Sequence, residues 1–109
     1  MVYQDNRQLN EMSEALNSVQ DNMTVYLNSK TSDSLEEYYR SDQIFDNMVQ
    51  ELNGDITDRT FDRMERNIKS MAASYLDTVR QTIEAKRGRN VEKYRVRYEL
   101  ATQQYNYIS

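Results

Sequence analysis

The sequence predicts an all-α protein, an antiparallel up-down-up-down four-helix bundle, and three observations predict it. Proline is absent, and glycine occurs only at Gly54 and Gly88, so little interrupts a helix over 109 residues. Apolar residues recur in four stripes stepped by three and four positions. No segment alternates apolar and polar residues for long enough to read as a strand. The length is that of one domain, 1–109.

The first helix is expected over about 3–29, on the stripe Leu9, Met12, Leu16, Val19, Met23 and Tyr26. At 1.5 Å per residue it is roughly 40 Å long. In "NSKTSDSLEEYY", Asp33 followed by Glu36 reads as a capping box opening the second helix, about 33–53. Leu35, Tyr38, Phe45, Met48 and Leu52 give its stripe, widened by Ile44 and Val49.

Asn53-Gly54 reads as a helix stop, because glycine takes the left-handed conformation without steric cost. Asp55 or Thr57 then caps the third helix, about 57–87, on Phe61, Met64, Ile68, Met71, Tyr75, Val79 and Ile83. Gly88 is expected to be the next left-handed stop, with Asn90 capping the fourth helix, about 91–108. Its stripe is Val91, Tyr94, Tyr98, Ala101, Tyr105 and Ile108. Short loops make neighbours antiparallel. The 30–32 and 88–90 loops then share one end of the bundle, and the 54–56 loop and both termini share the other.

Composition narrows the chemistry. With no cysteine there is no disulfide or thiolate, and with no histidine the commonest general base and metal ligand is gone. No catalytic residues, no metal ligands and no cofactor are expected. A histidine-dependent di-metal bundle enzyme is close to excluded. The acids, among them Asp58, Asp62, Glu11 and Glu14, fall off the apolar stripes onto solvated faces. No run of 18 apolar residues spans a membrane, and no signal peptide is visible. Nine tyrosines suit half-buried helix positions, where the ring packs and the hydroxyl reaches water.

Charge is uneven. Arg80 to Arg97 holds seven basic side chains against two acidic ones, in a chain of net charge −4. The centre of this stretch, "AKRGRNVEKYRVR", has three readings. It is a solvated turn whose cations Lys86 and Arg87 favour the negative end of the third helix. It is an anion-binding tip where Lys30, Arg80, Arg87, Arg89 and Lys93 converge, with Tyr38 and Tyr94 supplying an aromatic wall. Or it is a nucleic-acid site, which the acidic remainder and the lack of any DNA-binding motif disfavour. For the tyrosines on the stripes, core packing competes with a ligand cage.

Two stretches, "LNSVQDNMTVYLNSKTSDSLEEYYRS" (16–41) and "MAASYLDTVRQTIEAKRGRNVEKYRVRYE" (71–99), resemble the all-helical extracytoplasmic sensor domains of bacterial membrane histidine kinases, the group whose kinase module is LytS/YesM-like. The resemblance rests on leucine and tyrosine at helical spacing and on an asparagine- and glutamate-rich surface. It implies a domain at the extracytoplasmic face of the cell membrane, flanked by a transmembrane span on each side, homodimeric in its parent, and signalling through helix repacking. It carries no ligand residues over. It leaves the ligand open, a small anion or other molecule, or a protein partner. A chemoreceptor domain shares the plan, and a cytoplasmic helical interaction or scaffold module is the alternative from another class.

Overall fold

In a computed structural model the chain is described over residues 2–51 and 59–108, with side chains described over 10–51 and 67–108. The described residues form four helices, α1 (Val2–Ser29), α2 (Ser32–Glu51), α3 (Arg59–Arg87) and α4 (Val91–Ile108), with no strand among them. The fold is all-α, and the pairing of α1 with α2 and of α3 with α4 is that of a helical bundle. The chain divides into two compact units, 1–48 and 49–109.

In the first unit, α1 and α2 form an antiparallel hairpin. Residues on opposite sides of the turn meet: Ser29 Oγ lies 2.9 Å from Ser34 Oγ, and Asn22 Nδ2 donates to the Glu37 carbonyl at 3.3 Å. The α1 stripe is as expected, with Met12, Leu16, Val19, Met23 and Tyr26 buried and Ala15 beside them. On α2, Tyr38 and Phe45 are buried, but Ile44, expected to widen the stripe, is 46% exposed. Val49 is buried as expected, and the gap in the stripe between Tyr38 and Phe45 is filled by two buried polar residues, Ser41 and Asp42. Each large apolar side chain withdrawn from water contributes about 1.5–3 kcal/mol.

The cap of α2 differs from the expected capping box at Asp33. Thr31 is the cap: its hydroxyl accepts from the Ser34 amide at 3.1 Å, and its carbonyl accepts from Leu35 at 3.1 Å. Threonine wins because it lies three residues before the Ser34 amide, an orphan donor of the first turn. Asp33 sits inside that turn, where its negative charge favours the helix dipole.

In the second unit, α3 and α4 run antiparallel. Tyr75 and Tyr105 bring their ring centroids to 6.4 Å, and nearer the turn Lys86 Nζ lies 4.2 Å from the Tyr94 ring centroid. Tyr75, Val79 and Ile83 of the expected α3 stripe are buried, Ala72 and Leu76, which lay off it, are buried with them, and Ile68 and Met71 of the stripe are only half-buried. Two threonines join them: Thr82 and Thr78 return their hydroxyls to the carbonyls four residues back, at 2.8 and 2.9 Å, and so enter the interior with their polar atoms satisfied. On α4 only Ala101 is buried. Val91, expected on the core stripe, is 55% exposed.

The Asn53-Gly54 stop, the Asp55 or Thr57 cap and the side chains of Leu9, Leu52, Phe61 and Met64 lie outside the described residues.

Candidate functional site

The α3–α4 turn is built from hydrogen bonds that sequence reasoning placed one residue off. The Arg89 amide donates to the Lys86 carbonyl at 3.0 Å and the Asn90 amide to the Ala85 carbonyl at 2.8 Å, the paired bonds of a Schellman motif. The left-handed residue is therefore Arg89, at φ 60°, and not Gly88, which has no positive φ. A Cβ at 88 would stand 3.3 Å from the Glu84 carbonyl oxygen, a tight contact that a shift of a few tenths of an ångström would relieve. Asn90 caps α4 as expected, its Oδ1 accepting from the Lys93 amide at 3.2 Å.

The α1–α2 turn also ends its helix on a left-handed residue, but with the single bond of the simpler αL motif. Lys30 is left-handed at φ 56°, and its amide donates to the Tyr26 carbonyl at 2.8 Å. Each hairpin thus turns on a long basic residue held where glycine is the easy choice. Left-handed backbone at such a residue costs about 1–2 kcal/mol.

The expected site residues divide between the units. Lys30 is exposed at its turn, and Tyr38 is wholly buried on α2. The Tyr38 hydroxyl donates to Asp42 Oδ2 at 2.7 Å, so this ring belongs to the core and leaves the aromatic wall. In the second unit Arg87, Arg89 and Lys93 are exposed around one turn, and Tyr94 is half-buried beside them. Arg80 is exposed two helical turns earlier on α3, about 10 Å along the axis.

Lys86, read from sequence only as a dipole cap, is the cation on the Tyr94 ring. Its i, i+8 relation to Tyr94 crosses a turn, so helical periodicity could not reveal it. Arg87, Arg89 and Lys93 are exposed within seven positions around the turn, and an arginine fork suits carboxylate or phosphate bidentately.

Among the described residues no group of three or more acidic side chains could hold a metal ion, and no helix is long and apolar enough to cross a membrane. No family model matches the chain, and neither a curated protein nor a solved structure does.

Proposed function

We propose that this chain is the extracytoplasmic sensing domain of a bacterial two-component sensor histidine kinase, which passes a binding event on by repacking its last helix. The observation that carries the reading is the partial burial of α4: Ala101 is its only fully buried residue and Tyr94, Tyr98, Leu100, Tyr105 and Ile108 are half-buried, while α3 beside it buries a continuous face. A helix whose apolar side chains are mostly half-buried can settle in more than one packing, and a ligand moves it by favouring one of them. The basic turn at the start of α4 is the place where an oxyanion would act on it.

The test has two arms. In the parent gene, about 20 consecutive apolar residues before the chain and again after it would support the reading, and polar flanks on both sides would overturn it. On the protein, melting is followed with phosphate, nitrate and small dicarboxylates, for the parent and for Arg87→Gln/Arg89→Gln. Stabilisation of the parent that the double variant loses supports an anion at the turn, and no ion-dependent shift of the parent sinks that part.

A cytoplasmic helical interaction module is the second reading. It is favoured by Val91, Val96 and Tyr107 on α4, which are 55%, 61% and 82% exposed. Polar flanks would leave this one standing.

A further inference from the structure

Away from the basic turn, α3 and α4 border a groove of about 330 Å³, a volume in the range of small-molecule sites. Among the described residues, Met71 from α3 and Leu100 and Ile108 from α4 give it apolar walls, and all three are half-buried. Tyr107 stands on its rim, 82% exposed.

The side of α4 that borders the groove continues beyond it. Lys93, Arg97, Leu100, Gln104 and Ile108 follow one another by four, three, four and four positions, so they lie along one side of the helix. Followed towards the turn, that side passes from apolar to cationic: beyond Leu100 come Arg97, half-buried, and Lys93, exposed. On α3 the same kind of spacing runs from Met71 through Ser74, Thr78, Gln81 and Ala85, and none of these is charged. Asp77, one position off that line, accepts from Gln81 Nε2 at 2.8 Å. Among the described residues, this side of the hairpin carries apolar surface at one end and positive charge at the other.

We propose that this side of the α3–α4 hairpin binds a free single-chain amphiphile with an anionic head, a long-chain carboxylate, its chain in the groove and its head at Arg97 and Lys93. Three observations select this chemistry. The walls formed by Met71, Leu100 and Ile108 match a hydrocarbon chain, which gains by leaving water. The apolar surface gives way to a cation at Arg97, one turn from Leu100, and its planar fork holds a carboxylate by two bonds. From Arg97 to Ile108 is about 16 Å along the axis, the length of an extended chain of about twelve carbons. A small anion would leave the groove unfilled, and a cationic amphiphile would meet like charge at Arg97 and Lys93. The inference goes beyond the sensing reading and does not rest on it. It shares Lys93 with the anion at the basic turn, but neither Arg87 nor Arg89.

Isotope-labelled protein titrated with dodecanoate, kept well below its micelle concentration, tests it by amide chemical shifts. One saturable site is expected, with a dissociation constant on the order of 0.1 mM for a ligand of this size, and with shifts centred on 70–74 and 93–108. Dodecyltrimethylammonium has the same chain and the opposite charge, and butyrate has the head with little chain. Each is expected to bind at least about tenfold more weakly. Lys93→Gln/Arg97→Gln is expected to remove the preference for the anionic head, and Ser74→Phe to weaken dodecanoate by filling the groove. Dodecanoate bound no better than its cationic counterpart or than butyrate would overturn the proposal. So would shifts centred on other residues or growing without saturation, no shifts from folded parent, or a preference that survives the double variant. Shifts that need vesicles of anionic phospholipid and are absent with free dodecanoate would overturn it in favour of a membrane surface.

Discussion

The Tyr38 hydroxyl donates to the Asp42 carboxylate across 2.7 Å, one helical turn along α2, with both residues buried. A buried acid is tolerated when it is hydrogen-bonded, and this bond also satisfies the phenol of the most buried tyrosine in its hairpin. Tyr38→Phe leaves the packing intact and removes the donor. It is expected to cost about 1–3 kcal/mol in urea unfolding. Tyr39→Phe, at a residue 47% exposed, is the control and should change stability by less than about 0.5 kcal/mol.

Glycine is expected to relieve the two left-handed turns. Arg89→Gly and Lys30→Gly should each raise stability by about 1 kcal/mol, the steric cost of a side chain there, net of the extra freedom glycine gives the unfolded chain. Thermal melts followed by circular dichroism should move upward by a few degrees. If either variant melts below the parent, its side chain makes contacts worth more than the backbone strain. Anion binding by Arg89→Gly should weaken even as its stability rises, which separates the turn's structural role from its ligand role.

Lys86 and Tyr94 close the same turn through a cation–π contact. A double-mutant cycle with Lys86→Gln and Tyr94→Leu should give a coupling of about 0.5–1 kcal/mol. Zero coupling would mean that Lys86 serves only the helix dipole.

Ala101 and Val96 lie five residues apart on α4 in opposite environments, 0% and 61% exposed. Ala101→Leu adds bulk at a closed position and should destabilise by about 1–3 kcal/mol. Val96→Ala should be nearly neutral in the same denaturant series. Under the proposed sensing role, Ala101→Leu would also alter the output of the parent protein, because it forces α4 off its seat.

Helix number, order and most of the core were legible because apolar spacing reports burial directly: Val19, Met23, Tyr75 and Val79 all fell on stripes and are all buried. Asp42, Thr78 and Thr82 were not legible. Their burial depends on a hydroxyl or carboxylate finding a partner, and a hydropathy pattern does not encode that. The turn was misassigned by one residue because glycine's freedom suggested Gly88, while the bonds that close the motif put the left-handed position on Arg89. The basic cluster could be read from charge alone. The groove could not, because it exists only where the 70–74 and 100–108 segments come together.

The short turns also place the contacts that cost least to form. Ser29 and Ser34, then Asn22 and Glu37, meet at small separations along the chain, and so do Lys86 and Tyr94. Contacts this local cost little loop entropy, so each hairpin can zip outward from its own turn, and helical topologies of this kind fold in microseconds to milliseconds. Lys30 and Arg89 stand at the two turns from which such zipping would start. A glycine at either would act on the rate of folding as well as on its equilibrium, and a chevron plot would divide the gain between the two limbs.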